Sequence, residues 1–125
     1  MDKIKTIIWG RSFELDIVFD VYKGEEILPK QKEALRCFTS TDMFTDESLD
    51  AVKKYCLSRD SDEIEDKIEN IFKYVVPQSI YIPRRQGEYR IVALMCAYRF
   101  DIEHGIAVIF SNEQLKNISN QDNVI

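Results

Sequence analysis

The sequence holds one histidine, three cysteines and four glycines in 125 residues, and each shortage removes a class of chemistry. The glycines, Gly10, Gly24, Gly87 and Gly105, stand alone, so neither G-x-G-x-x-G nor a phosphate-binding loop can be built from them. No G-x-S-x-G occurs, and the lone His104 gives little scope for a nucleophile paired with a histidine base. Cys37, Cys56 and Cys96 are never spaced as C-x-x-C and each lies among apolar neighbours, the setting of a small buried hydrophobe. Long apolar runs are missing too. The opening MDKIKTIIWGRSFELD has too little apolar length for a signal peptide, and nothing approaches the roughly 20 residues of a membrane span. Positive charge is in deficit: 17 Lys and Arg against 22 Asp and Glu leave −5, a poor match to phosphate backbones. No nucleic acid, membrane, metal or cofactor is therefore expected as a partner, and a reducing cytoplasm is the expected location.

What is present is the composition of one globular domain spanning residues 1–125, 45% hydrophobic and 31% charged. In SFELDIVFDVY, residues 12–22, Phe13, Leu15, Ile17, Phe19 and Val21 alternate with Glu14, Asp16, Val18 and Asp20, the period of a half-buried strand. IKTIIW precedes it, with Gly10-Arg11 as the expected turn of a hairpin. The period then lengthens. Pro29 suits a first helical turn ahead of Ala34, Leu35 and Phe38. Thr45 is a candidate cap for a second helix carrying Leu49, Val52, Cys56 and Leu57 on one stripe. Ile64, Ile68, Ile71, Phe72 and Val75 predict a third helix that begins after Ser61 and is stopped by Pro77. Strands return at SIYIP, at EYRIVALMCAYRF and at GIAVIF, with a short one around Leu115 to Ile118. The segment apolar from Ile91 to Ala97 is expected to be central and covered on both faces. The polar stretch TSTDMFTDES is expected to be mobile, and the terminal Val124-Ile125 to dock at an edge. The order ββααα-ββββ predicts an α+β fold: an antiparallel sheet of five to six strands with helices packed on one face.

Three places could carry function. Asp101, Glu103 and His104 crowd one loop, the composition of a metal or general-base site. A glycine-ended hairpin explains the same residues without chemistry, since Asp101 can bond the backbone and Gly105 can supply positive φ. SRDSDEIED starts like a calcium loop but has Glu65 where glycine is required. Arg84, Arg85 and Arg90 form a small basic patch at a hairpin tip. Glu14, Asp16 and Asp20 share one face of the long strand, and Glu25 and Glu26 follow, making an acidic surface suited to a basic protein.

GRSFELDIVFD, GEEILPKQKEAL, LDAVKKYCL, ALMCAYRFDIEHGIAVIF and the final QDNVI together resemble a family of small bacterial proteins carrying a domain of unknown function. The resemblance covers most of the chain, and D-x-E-H-G-I-A-x-x-F is its most specific part. It implies an association with the immunity proteins of polymorphic toxin systems, and it carries over no catalytic residue. The expected function is a non-catalytic protein-binding domain that occludes a basic toxin through Glu14, Asp16, Asp20, Glu25 and Glu26. The alternatives are a small enzyme or metal-binding protein using the Asp101, Glu103 and His104 loop, and a domain that self-associates through a strand edge.

Overall fold

Alternation makes the first hairpin. In the computed structural model, which describes residues 3–41, 44–64 and 67–121, β1 (Lys3–Ile8) pairs antiparallel with β2 (Arg11–Phe19). The turn is Trp9-Gly10, not Gly10-Arg11: φ is 50° at Trp9 and 89° at Gly10, as a two-residue turn between twisted strands requires. A tryptophan in the left-handed region costs about 1–2 kcal/mol. Its indole Nε1 donates to Ser48 Oγ at 3.0 Å and its ring stacks on Phe72, which offsets that strain.

Two helices follow, α1 (Pro29–Thr39) and α2 (Asp46–Arg59). Thr45 caps α2 by accepting from the Ser48 N–H. Within α1 the buried Gln31 takes the Leu28 N–H on its oxygen and donates to the Asp20 and Ile82 carbonyls. A buried amide so fully bonded fastens the helix start to the ends of two strands at once. In the TSTDMFTDES stretch, residues 42 and 43 lie outside the described residues, while Phe44 packs into the core beside Phe38 and Phe110. The third predicted helix does not form. Residues 61–64 turn, residues 65 and 66 lie outside the described residues, and a single 3-10 turn, Ile71–Lys73, leads directly into a strand. Asn70 caps that turn, and the β-branched Val75-Val76 pair is drawn into the sheet. Ile64, Ile68, Ile71 and Val75 are all buried, so their spacing marked a buried side correctly and the wrong backbone.

The last four strands are β3 (Val75–Ile82), β4 (Ile91–Tyr98), β5 (Ile106–Ser111) and β6 (Gln114–Ser119). Pro77 lies inside β3, ahead of the stretch that pairs with β2, where a missing N–H is tolerated. The sheet runs β1-β2-β3-β4-β5-β6. Every neighbouring pair is antiparallel except β2 and β3, which are parallel. That one pair corrects the all-antiparallel expectation, because the two helices occupy the long crossover a parallel connection needs. The main core joins Ala34, Phe38, Val52 and Cys56 of the helices to Leu15, Ile80, Leu94, Val108 and Phe110 of the sheet. A second cluster, Ala93, Met95 and Ala107 with Tyr81 and Ile109, contains no helix residue. The helices thus cover one face only.

Candidate functional site

The loop after β4 turns tightly because Gly105 has φ +60° and because its backbone meets the rest of the protein closely. A Cβ there would lie 2.5 Å from the Cys96 carbonyl oxygen and 2.6 Å from Gln121 Nε2. Inside the loop, Asp101 Oδ1 accepts from the His104 N–H at 3.2 Å and lies 2.9 Å from His104 Nδ1. Its other oxygen is held by the Arg59 guanidinium at the end of α2. Arg59 also lies 3.8 Å from Asp60 Oδ2, which accepts from the Tyr98 hydroxyl at 2.6 Å. The resulting chain, His104–Asp101–Arg59–Asp60–Tyr98, fastens the loop to the last turn of α2. Arg59 holds the Asp101 carboxyl down at about 2, with the bonds from His104 adding to the effect. A carboxylate that acidic is a weak base near neutral pH. Burial, followed by the bond to Asp60, pushes the Tyr98 phenol well above its ordinary range. Glu103 is exposed and does not converge on the pair. Among the described residues no group of three His, Cys, Asp or Glu side chains stands together as metal ligands. The arrangement is chemically a clasp, and Asp101 and His104 are brought together without Glu103.

The acidic residues of β2 lie where alternation puts them, on the face away from the helices, but they are not a bare negative surface. Lys3 of β1 lies 3.7 Å from Glu14 and 3.9 Å from Asp16. Asp20 follows the end of β2, near Tyr81. Burial, reinforced by Asp20, pushes the Tyr81 phenol up to about 12. Glu25 pairs with Arg84, and the Glu26 carbonyl accepts from the same guanidinium at 3.4 Å. Parts of the expected acidic and basic surfaces therefore neutralise each other. Arg90 is bound through two bonds of 2.7 and 2.9 Å to Glu113, while Arg85 is exposed. The Arg84, Arg85 and Arg90 set is thus divided among different tasks rather than presented as one patch.

Sequence reasoning missed the middle of that helix-free face. Strand register places Val18, Tyr81, Ala93, Ile109 and Asn117 in one row across β2 to β6. Asp16, Ser79, Met95, Ala107 and Ser119 form the next. Apart from Val18 on β2 and Ser79 on β3, the face reads mainly charged at β1 and β2, apolar over β3 to β5, and polar at β6. β4 is central as expected, yet no described element lies over its outer side. Ala93 and Ala107 are buried because they are short and flanked by larger side chains. The signal was available in the unbroken run IVALMCA, whose alanines suit a flat surface as well as a second layer.

A shallow groove of about 380 Å³ also opens between α2 and β6. No helix among the described residues is long and apolar enough to cross a membrane. Among known proteins, the family model described as Domain of unknown function (DUF6985) matches residues 2–125. No curated protein and no solved structure matches the chain.

Proposed function

From the premise that the chain belongs to the DUF6985 family, we propose that it is a non-catalytic protein-binding domain that docks through the helix-free face of its sheet. The partner is a basic protein. The reading extends to a bacterial, cytoplasmic immunity protein that occludes a toxin, for which three free thiols suit a reducing compartment. The observation that carries the proposal is the makeup of this face. Its apolar centre at Val18, Tyr81, Met95 and Ile109 is bordered by Glu14, Asp16 and Asp20. Interfaces of this kind combine an apolar middle with a polar rim. A net charge of −5 favours a basic partner, and the border carboxylates act mainly on the rate of encounter.

Occlusion needs no reaction, only a surface that stays on its target. The test uses the wild-type protein as bait, and the captured partner, a toxin in the expected case, is then titrated against two variants. Ile109→Asp puts a charge in the apolar centre and should abolish binding while leaving a folded protein. The triple variant Glu14→Gln, Asp16→Asn, Asp20→Asn should slow association and flatten its dependence on salt. Wild-type binding by both variants would remove this face from consideration.

A further inference from the structure

β6 ends the sheet, and among the described residues no strand pairs with its outer side. An unpaired edge is a template for another strand unless something covers or interrupts it. α2 stands beside β6 without covering it, and the groove runs between them. α2 contributes Ala51, Lys54 and Tyr55 to its walls, and β6 contributes Leu115, Lys116 and Ile118. Leu115, Ile118, Ala51 and Tyr55 are each only half-buried. Both charged side chains lining the groove are lysines, in a chain that carries 22 acids.

We propose that this groove binds an extended, acidic segment of a partner protein, which adds to β6 as a seventh strand. Backbone bonds to the outer side of β6 supply sequence-independent affinity, and side chains of the added strand supply selectivity. Alternate residues of the segment turn inward over Leu115 and Ile118 and against Ala51 and Tyr55, so those positions are apolar. A further inward-facing position of the segment carries a carboxylate, which meets Lys54 and Lys116 on the same side of the added strand. The Lys116 ammonium rests 5.7 Å from the Tyr89 ring centre, a loose contact that leaves it able to pair with an incoming anion. Pairing with β5 shifts register between Asn117 and Leu115, leaving Lys116 as the extra residue of a bulge. A bulge breaks the pleat at one point, so an added strand cannot slide along β6 without losing its match. This site wants a charge opposite to that favoured by the helix-free face, and the two surfaces are independent.

The probe is a pool of eight-residue peptides with valine, isoleucine or leucine at alternate positions, one of which is aspartate or glutamate, and serine or threonine between them, and a matched pool carries lysine or arginine in place of the acid. The acidic pool should bind saturably below about 1 mM and slow hydrogen exchange at backbone amides of Gln114–Ser119. The double variant Lys54→Glu, Lys116→Glu should weaken it about tenfold or more and favour the basic pool. Asn117→Pro, placed within the edge strand, should abolish binding in protein whose melting curve shows it is folded. Ile109→Asp should leave peptide binding unchanged, which separates this site from the helix-free face. Three results would overturn the proposal: equal binding of both pools or of neither, protection away from β6, and a two-copy assembly whose β6 amides are protected without peptide.

Discussion

Replacing Gly105 by alanine tests whether the loop that holds Asp101 and His104 depends on close packing or on backbone conformation alone. Gly87 is a matched control, because both glycines have φ +60° and a Cβ at Gly87 would meet nothing within 4 Å. Gly87→Ala should therefore cost only the left-handed penalty, about 1–2 kcal/mol. At Gly105 the new Cβ would also lie 2.5 Å from the Cys96 carbonyl oxygen, which belongs to the central strand and has little freedom to move. Overpacking of that kind adds about 1–3 kcal/mol. The bond from Gln121 Nε2 to the same oxygen, 2.9 Å long, would be disturbed as well, at about 1 kcal/mol. The sum for Gly105→Ala is about 3–6 kcal/mol, and at roughly 3–5 °C per kcal/mol for a chain of this length the melting point should fall by about 10–30 °C. Urea denaturation of both variants measures the difference directly. In a Gln121→Ala background the Gly105→Ala cost should shrink but not vanish, since the Cys96 oxygen remains. Equal losses for the two alanine variants would refute the close-packing account.

Two other substitutions probe the same frame. Leu94 on β4 is 1% exposed in the main core, so Leu94→Asp buries an unpaired charge and should prevent folding; soluble protein with a wild-type melting curve would contradict the placement. Asp101 is held at about 2 against an ordinary 3.8, so its contribution is fully present above that ordinary value and is lost as pH falls through about 2. The stability gap between wild type and Asp101→Asn should therefore close as pH falls from 3.8 to about 2, and a gap that stayed open through that range would contradict the ion pair with Arg59.

Local signals in this chain were read well and non-local ones poorly, for a physical reason. The alternation from Phe13 to Phe19 fixes which side of β2 faces the core, and Thr45 caps α2 through its own neighbour three residues on. Both facts involve residues close in sequence. The parallel pairing of β2 with β3 depends on where a crossover lands, which no local pattern encodes. The missing third helix has the same origin. Ile64, Ile68 and Ile71 needed a buried side, and a turning chain against the core provides one as well as a helix does. Hydrophobic spacing reports burial, and it reports backbone only when propensity and capping agree with it.

Charge is the property that the linear sequence misrepresents most. Glu14 and Asp16 look like an uncompensated acidic strip until β1 brings Lys3 across the hairpin. Glu25 and Arg84 look like members of two opposed patches until folding joins them as a pair. Arg90, counted with the basic tip, is spent on Glu113 and so stabilises the turn between β5 and β6. Lys54 and Lys116 attract no notice in the sequence, one on a mixed helix surface and the other in a polar strand. The fold sets them on facing walls of one groove, with no acid beside them among the described lining residues. A net charge of −5 therefore describes how the whole molecule meets a distant partner, through a field that salt screens. At contact distance the sign is decided by which neighbours folding supplies. For that reason an acidic domain can present a helix-free face suited to a basic protein and a strand edge suited to an acidic one.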